Sequence, residues 1–392
     1  MRQGGDPGWG AVVALGLAQI VCWGVVYYVF AVVQVPMRAE LGWTTAQTSG
    51  AFSLALLTSA VCGVATGRWL DRHEPWLVLV GGPVAGVLLV VAWSRVESLG
   101  AFYAVWVAMG VAMACTLYEP VFVVVTKLWH LRRNRALTAI TLMGGLASFV
   151  FLPLAQALID AVGWRDALLV LAATLGVTAV PLNAVALRRA APDRSQPERA
   201  PERAVSAARA LRTIGFWLLA VVFAVDALTW AAIGVHLVPA LLADGHSAPF
   251  AALAAGLAGF WQLPGRAALL VVSRAIAPTA MPVAILALGS VAALFLAAGG
   301  GVASVLAGVA CLGVAHGMGT LVRPIAFADR YGLEDYGAIA STAAMLATLS
   351  RALGPILAAA VLSLTGSYDG VMLAIAALSA LAAGLAVVAR SA

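Results

Sequence analysis

The sequence is poor in charge. Asp, Glu, Lys and Arg make up only 10% of its 392 residues, whereas 63% are hydrophobic, and Lys127 is the only lysine. A soluble domain has about a quarter of its residues charged and about half apolar. This composition excludes a soluble globular protein and predicts an integral membrane protein.

Cysteine is also scarce, and cofactor motifs are missing. The four cysteines, Cys22, Cys62, Cys115 and Cys311, lie within apolar stretches and form no C-x-x-C pair. They predict neither a disulfide framework nor a zinc site. The nucleotide-binding pattern G-x-x-x-x-G-K-[ST] is absent from the sequence, as is any cluster of catalytic residues at a membrane edge. We therefore expect a protein that uses no metal or cofactor and is not an enzyme.

What the sequence does contain is a series of long apolar runs. A bilayer core about 30 Å thick is crossed by about 20 apolar residues in a helix. Breaks at charged or Gly/Pro-rich segments give twelve such runs, near residues 9–35, 50–70, 76–93, 101–126, 137–159, 167–187, 214–241, 248–272, 281–298, 302–327, 338–365 and 371–389. The first run is too long for a cleavable signal peptide. We predict an all-α membrane protein with twelve transmembrane helices.

The basic residues predict the orientation in the bilayer. The net charge is +6, and 17 of the 23 Lys and Arg residues fall on one side if the runs alternate in direction. Only Arg38, Arg95 and Arg165 fall in loops on the other side. By the positive-inside rule the first side is the cytoplasm. We predict a multi-pass protein of a bacterial cell inner membrane with both termini cytoplasmic, and the charge gives no reason to expect nucleic acid as a partner.

The longest polar segment divides the runs six and six. Residues 188–213 hold seven arginines and three acidic residues, and we expect a cytoplasmic linker that ends in a short helix on the membrane surface. It separates an N-terminal half, 1–187, from a C-terminal half, 214–392. Many transporters are built from parallel repeats of this kind, with the substrate site near the bilayer midplane. We expect such a protein to be a monomer in the lipid bilayer.

The turn after the second run reads GRWLDRHEP. It resembles the loop 2–3 signature of the major facilitator superfamily, G-x-L-a-D-R-x-G-R-R, with Gly67, Asp71 and Arg72 at matching positions. The resemblance implies the major facilitator fold of two six-helix halves. It also implies a gating role, in which the Asp71 carboxylate pairs with basic groups and caps a neighbouring helix in one of two states. The alternative interpretation is a solvated turn.

Four longer segments resemble the bacterial monocarboxylate-porter and oxalate/formate-antiporter branch of that superfamily, whose members carry small organic anions. They are YYVFAVVQVPMRAELGWTTAQTSGAFSLALL (27–57), YEPVFVVVTKLWHLRRNRALTAITLMGG (118–145), FLPLAQALIDAVGWRDA (151–167) and LVRPIAFADRYGLEDYGAIAS (321–341). The resemblance implies that Arg266 in the eighth run and Arg351 in the eleventh contact substrate carboxylates. Gln262 stands where the animal carriers have an aspartate, and the first run has no lysine, so two of their coupling groups have no counterpart here.

The arginines inside the apolar runs carry the same prediction on physical grounds. A charged residue within a membrane segment faces a water-filled cavity or an ionic partner. A guanidinium group binds a carboxylate through two parallel hydrogen bonds, so we predict that Arg266 and Arg351 bind an anionic substrate. The alternative is a structural salt bridge with Asp226 or Glu119. Arg323, near the inner end of the tenth run, is predicted to be a gate or an interface anchor.

Three titratable residues in the runs are candidates for proton coupling: Glu119, Asp226 and His316. A carboxylate removed from water binds its proton more tightly, so it can exchange protons near neutral pH as access alternates. Each carboxylate can instead simply neutralise an arginine. His316, which lies among small residues, can instead be a packed hydrogen-bonding side chain.

Two helix faces are predicted to line the cavity. Helical spacing puts five residues on one face of the first run, namely Gln19, Trp23, Tyr27, Phe30 and Gln34. The same spacing groups Gly259, Gln262 and Arg266 on the eighth run. We predict Trp23, Tyr27, Gln34 and Gln262 as further substrate-binding residues. A stripe of aromatic residues can also belong to the protein core. The glutamine side chains at both ends of this stripe favour a surface in contact with water.

These observations predict a secondary transporter that moves a small, monocarboxylate-like organic anion by alternating access. Symport and antiport remain open, with protons as candidate coupling ions. The alternative is proton-driven efflux of a drug or toxic compound, in which Glu119 and Asp226 matter more than the arginines. A third hypothesis is a membrane sensor that binds a ligand without transporting it and uses the linker as its output.

Overall fold

The computed structural model describes residues 8–129, 132–189, 205–299 and 301–391, and every regular element in these ranges is helical. The α-helices are α1 Trp9–Trp23, α2 Phe30–Leu41, α3 Thr45–Arg72, α4 Trp76–Leu79, α5 Gly81–Ser94, α6 Leu99–Thr116, α7 Tyr118–Leu128, α8 Arg133–Gly144, α9 Ala147–Arg189, α10 Ala207–Ala210, α11 Ile214–Ala243, α12 Ala248–Ala275, α13 Met281–Ala297, α14 Val302–Tyr331, α15 Tyr336–Thr365 and α16 Tyr368–Ser391. A π-helical turn, Gly24–Tyr28, joins α1 to α2.

The predicted all-helical membrane architecture is confirmed. Eleven stretches in the described residues are long and apolar enough to cross a bilayer. One of them, Arg133–Arg189, has 57 residues and would be about 85 Å long as a single helix, far more than a bilayer core. Gly163 breaks it, with φ 79° and ψ 162°, a conformation that favours glycine. The stretch therefore accommodates two of the predicted crossings, 137–159 and 167–187.

Hydroxyl side chains mark where four helices begin. In each case a Ser or Thr oxygen accepts a hydrogen bond from the backbone N–H three residues later, as N-cap residues do; the four caps are Thr44, Ser98, Thr213 and Ser247. At Thr44 the Gln47 side chain completes a capping box. Helix α3 therefore begins at Thr45, earlier than the residue 50 predicted from hydropathy, because the capped first turn is polar.

Prolines within the helices leave carbonyl groups that other helices satisfy. Pro83 in α5 has no N–H, so the carbonyl of Leu79, four residues earlier, has no helical donor. The Asn183 amide of α9 donates to that oxygen at 2.6 Å, and its side chain is buried. A polar residue in an apolar helix thus has a structural role here, because it replaces a missing helical hydrogen bond.

The described chain forms two compact units. Unit 1 comprises the described residues within 1–204 and 332–342, and unit 2 comprises those within 205–331 and 343–392. The start of α15 therefore belongs to unit 1 and the rest of that helix to unit 2. Within the predicted linker, residues 190–204 lie outside the described residues. The helix predicted at the end of the linker is the single turn α10.

Aromatic rings form the core of unit 1. Phe30 stacks on Phe52 with ring centroids 4.6 Å apart, and Trp106 meets the edge of Phe30 at 4.7 Å. Trp93 and Trp106 are in turn 5.0 Å apart. Such offset and edge-on pairs stabilise a core beyond the burial of their surface.

Glycines allow two helices of unit 2 to meet backbone to backbone. A Cβ atom on Gly265 of α12 would lie 2.6 Å from the carbonyl oxygen of Val314, and one on Gly313 of α14 would lie 2.5 Å from that of Ala258. One on Gly317 would overlap the backbone of Gln262. This glycine seam between α12 and α14 is the close approach that small residues permit in membrane helices.

Candidate functional site

A cluster of polar side chains lies in unit 2, on helices that are otherwise apolar. Asp226 of α11 and His316 of α14 lie at ion-pair distance, with 3.3 Å between Oδ2 and Nδ1. Their side chains are 15% and 11% exposed. The His316 ring stacks on Trp230 of α11, with centroids 4.2 Å apart and planes 4° from parallel. Three side chains from two helices thus lie against one another.

Space for the Asp226 carboxylate depends on a glycine. A Cβ atom on Gly319 would lie 2.9 Å from Asp226 Oδ2, so any larger residue would push the carboxylate away. Gly319 follows the glycine seam on α14, two residues after Gly317. The small residues around His316 therefore fix where the pair sits as well as allowing the helices to pack.

Arg266 of α12 is buried, on the helix that meets α14 along the glycine seam. Its residue surface is only 7% exposed, and Nη2 donates to Gln262 Oε1 at 3.2 Å, one helical turn away. Arg351 is exposed, although it lies in the middle of α15. Open space lies beside Gly259, where an added Cβ would meet no atom within 4 Å.

Two pairs of predicted residues are therefore in contact within unit 2: Asp226 with His316, and Gln262 with Arg266. Sequence analysis proposed Asp226 or Glu119 as an ionic partner of Arg266. The structure adds His316 as a neighbour of Asp226, a pairing that was not predicted. It also adds Trp230, whose signal in the sequence is its spacing of four residues from Asp226.

The residues predicted on the first run lie in unit 1, where only part of the stripe forms an aromatic group. Trp23 lies 5.1 Å from Tyr27 and 4.9 Å from Tyr118 between ring centroids. Both Trp23 and Tyr27 are half-buried. The π-turn Gly24–Tyr28 widens the helix between them, and such turns are frequent at functional sites.

The prediction that the whole stripe is a wet face is wrong for two of its members. Gln19 is 0% exposed, and its Nε2 donates to the Thr116 carbonyl at 2.8 Å. That oxygen lacks a helical donor because Pro120 follows four residues later. Phe30 is 5% exposed and lies in the aromatic core. Gln34, beyond the π-turn, accepts a long hydrogen bond of 3.5 Å from Thr48 on α3.

Glu119 occupies the first turn of α7 in unit 1 and is half-buried. It follows shortly after Leu117, whose extended backbone interrupts the helix. A carboxylate in the first turn of a helix interacts favourably with the helix dipole. Glu119 is thus placed at a helix break in unit 1.

The predicted gating motif forms a second polar site, within unit 1. The Asp71 side chain is 2% exposed and accepts hydrogen bonds from the backbone N–H groups of Gly337, at 2.8 Å, and Ala338, at 2.7 Å. These are the second and third residues of α15, so Asp71 caps that helix from another segment of the chain. Lys127 Nζ pairs with Asp71 Oδ1 at 2.6 Å and also donates to the Leu70 carbonyl at 3.1 Å.

The other motif residues differ in their surroundings. A Cβ atom on Gly67 would overlap Ser341 Oγ and the Gly337 backbone, so this position requires glycine. Arg72 is exposed in the last turn of α3, and Arg323 is half-buried in α14 of unit 2. Lys127 was not predicted as part of the site, although its being the only lysine was a signal. No group of three His, Cys, Asp or Glu side chains that could hold a metal occurs in the described ranges.

The sequence profile of the Major Facilitator Superfamily matches residues 15–320. The chain belongs to the Major Facilitator Superfamily. The matched residues include Asp71 and Lys127 of the motif site and Asp226, Arg266 and His316 of the cluster in unit 2.

Solved structures of superfamily transporters share the fold. The outward conformation of the transporter FucP is 13% identical, with a TM-score of 0.73 over 96% of this chain and 98% of that one. A single-substitution variant of the E. coli fucose:proton symporter FucP is 14% identical, with a TM-score of 0.73 over the same shares of the two chains. An outward-facing bacterial homologue of the iron transporter ferroportin is 17% identical, with a TM-score of 0.72 over 97% of this chain and 100% of that one. The comparison with curated proteins gave no match.

Proposed function

We propose that this superfamily member is a secondary transporter of a small organic anion of the monocarboxylate type, working by alternating access. The observation that carries the proposal is a buried guanidinium group within a membrane helix of unit 2. Arg266 is only 7% exposed, and its Nη2 donates to Gln262 Oε1 at 3.2 Å. Arg351, the second arginine of the prediction, lies on α15 in the same unit.

An arginine buried within membrane helices needs an energetic reason. An arginine at the centre of a membrane helix costs roughly 2.5 to 3.5 kcal/mol on insertion scales. A bound carboxylate would pair with the guanidinium group of Arg266, whose fork suits the carboxylate geometry. The hydrogen bond from Arg266 to Gln262 orients that fork. The resemblance of the sequence to the monocarboxylate-porter branch, in which these two positions contact substrate, agrees with this proposal.

Proton coupling is part of the proposal. The Asp226 Oδ2 and His316 Nδ1 atoms lie 3.3 Å apart, and a carboxylate and an imidazole at such a distance can pass a proton between them. Glu119 at the helix break in unit 1 is a second candidate. Dissipating a pH gradient across a proteoliposome membrane should then reduce uphill uptake, while exchange of labelled for unlabelled substrate continues.

We propose a gating role for the motif site. Asp71, Lys127 and the first turn of α15 form an ionic contact that can exist in one conformational state and open in another. Such a contact would set the relative populations of the two states without touching the substrate. Arg72 and Arg323 are proposed to act at the cytoplasmic ends of their helices.

The direct test replaces Arg266. Arg266→Lys keeps the charge but loses the fork, and Arg266→Gln loses both, so affinity for propionate or butyrate should fall in that order. A charge-assisted hydrogen bond contributes about 1.5 to 3 kcal/mol, so the Gln variant should bind at least about tenfold more weakly. The measurement is ligand binding by thermal shift, with labelled flux into proteoliposomes.

Arg212→Gln is the matched control, because Arg212 is an exposed arginine of the same unit outside the cluster. It should bind and transport like the wild type. If Arg266 only pairs with a carboxylate for stability, Arg266→Gln should lower the free energy of unfolding by about 3 to 5 kcal/mol and leave the affinity of the folded protein unchanged. That result would contradict the proposed binding role.

A second candidate, proton-driven efflux of a drug or toxic compound, is favoured by one observation. The half-buried rings of Trp23, Tyr27 and Tyr118 form an aromatic group in unit 1 that suits a flat apolar molecule. In that case aromatic cations rather than carboxylates should raise the melting temperature. Arg266→Gln should then leave their transport intact, whereas Glu119→Gln should abolish it.

A further inference from the structure

We infer that Trp230 is a positioning residue for proton coupling: its indole ring holds the imidazole of His316 and favours the protonated form, so that the coupling proton resides on His316 rather than on Asp226. The inference rests on the proposed function, since it concerns the pair proposed there for proton coupling. Its basis is the geometry of three side chains from two helices, together with the attraction of a cation to the face of an aromatic ring.

The contact between Trp230 and His316 is a face-to-face stack with little access to water. The ring centroids lie 4.2 Å apart, the planes are 4° from parallel, and the His316 side chain is 11% exposed. A cation within about 6 Å of an indole centroid is attracted to the ring face, and the attraction is stronger where water is excluded. Trp230 therefore stabilises an imidazolium ring at this place more than a neutral imidazole.

The edge of the same imidazole faces a carboxylate. Asp226 Oδ2 lies 3.3 Å from His316 Nδ1, and among the described residues no hydrogen bond reaches the buried Nδ1 atom from elsewhere. Two lone pairs facing each other would repel, so Nδ1 carries a hydrogen towards Asp226 and the coupling proton adds at Nε2. The product is an imidazolium group beside a carboxylate.

One proton on this pair has two possible positions, and Trp230 distinguishes between them. A proton on Asp226 gives a neutral carboxylic acid beside a neutral imidazole, an arrangement that burial favours. A proton on His316 gives an ion pair, which the indole face favours. Because Trp230 stacks on the histidine ring, its removal should weaken the binding of the coupling proton.

The backbone keeps these side chains in register. Asp226 and Trp230 are four residues apart on α11, so they lie on the same face of that helix. On α14, a Cβ atom on Gly317 would overlap the backbone of Gln262, and Gly319 leaves room for the Asp226 carboxylate. Neither helix can therefore shift without disturbing the stack.

The arginines near this pair do not titrate in the range of the test. Helices α11, α12 and α13 pack against α14, and α13 contains no Asp, Glu, Lys, Arg or His. A guanidinium group keeps its charge at every pH at which a histidine titrates. This applies to the arginines with described side chains within the membrane helices of unit 2, namely Arg266 on α12, Arg323 on α14 and Arg351 on α15.

His236 is the other histidine of α11 and has to be controlled for. It lies ten residues beyond Asp226, which is about 15 Å along the helix. Its Nε2 lies 3.2 Å from the carbonyl oxygen of Pro355. His236→Gln should therefore leave the behaviour of His316 unchanged.

The first measurement needs no substrate. A protonated imidazole stacked on an indole quenches its fluorescence, so tryptophan emission of the purified full-length protein should fall as the pH is lowered from about 8 to 5, the range in which histidine titrates. His316→Gln should remove this change, and Trp230→Phe should remove it by removing the reporter. His236→Gln should retain it.

The second measurement is the pH dependence of proton-driven uptake of labelled butyrate into proteoliposomes. Trp230→Leu keeps an apolar side chain but removes the ring, so the pH of half-maximal uptake should fall by at least about half a unit. Trp230→Phe keeps an aromatic face and should retain most of the wild-type profile. Exchange of labelled for unlabelled butyrate should change little in Trp230→Leu, because exchange needs no net proton transfer.

Trp217→Leu is the matched control, because Trp217 is a tryptophan of the same helix that is 45% exposed. It should retain the wild-type pH profile, and melting of each protein shows whether it is folded. If Trp230→Leu does not fold, the fluorescence of the wild type and of His316→Gln still decides the matter.

Two results would overturn the inference. One is tryptophan emission whose pH dependence is the same in the wild type and in His316→Gln. The other is a folded Trp230→Leu protein with the wild-type pH profile of uptake. The proposed function fails differently: butyrate would not be transported, or its transport would be indifferent to Arg266→Gln, while the fluorescence change with pH would persist.

Discussion

Replacing Asp71 by Asn tests whether the motif site controls the change of state. The carboxylate accepts two backbone N–H groups from the first turn of α15 and pairs with Lys127 at 2.6 Å. An Asn side chain offers one oxygen in place of two and presents an NH2 group to the remaining donor. The substitution therefore breaks one helix-capping bond and removes the ionic partner of Lys127.

The expected change in free energy follows from the burial of the Asp71 side chain. Removing one partner of a buried ion pair costs about 3 to 5 kcal/mol, and the lower end applies because Lys127 retains 23% exposure and can be hydrated. If only one conformational state contains this contact, a loss of about 3 kcal/mol changes the ratio of the two states roughly a hundredfold. Transport should slow accordingly, because each cycle passes through both states.

Substrate affinity is the contrasting measurement. Asp71 lies in unit 1, whereas the charged cluster belongs to unit 2, so the dissociation constant should change by less than about threefold, which is below 1 kcal/mol. Flux and binding are measured on the same preparation. Asp160→Asn is the control, because Asp160 is an exposed carboxylate of unit 1 that accepts a hydrogen bond from Gln156, one helical turn away.

The reasoning is refuted by either of two results. One is an Asp71→Asn protein that transports at the wild-type rate. The other is a variant whose affinity collapses while the turnover of bound substrate is unchanged, since that would make Asp71 part of the binding site.

Two further predictions test the packing and the topology. Gly67→Ala should abolish transport or lower the melting temperature, because the added Cβ would overlap Ser341 and Gly337. Gly63→Ala is the control and should be tolerated, because a Cβ there meets no atom within 4 Å. Transport flux and melting temperature are measured for both variants. A cysteine at the exposed position of Arg212 should resist a membrane-impermeant thiol reagent added to intact cells, and rapid labelling from outside would contradict the cytoplasmic assignment.

The fold class was predictable because it follows from composition and run length alone. Apolar runs of about 20 residues specify membrane helices whatever their partners, and a buried arginine such as Arg266 stands out against them. Helix ends were less predictable. Helix α3 begins at Thr45 because of a capping box, and hydropathy averaged over a window of many residues does not detect such a short polar pattern.

Partnerships between distant residues were not predictable. Gln19 was interpreted as part of a wet surface, yet it donates to a carbonyl 97 residues away that Pro120 leaves without a helical donor. The pairing of Lys127 with Asp71 and that of His316 with Asp226 likewise depend on which helices pack together. A single sequence contains the chemistry of each group but not the neighbour that it meets.

The glycine seam between α12 and α14 has a consequence for energetics. Where Gly265 and Gly313 meet the opposite backbone directly, no layer of side chains can repack to let one helix slide along the other. Arg266 and His316 should then keep their separation throughout the transport cycle. A site whose charges stay in place has similar intrinsic affinity whichever side of the membrane it opens to, so we expect the carrier to run reversibly, with the concentration gradients alone deciding the direction of net flow.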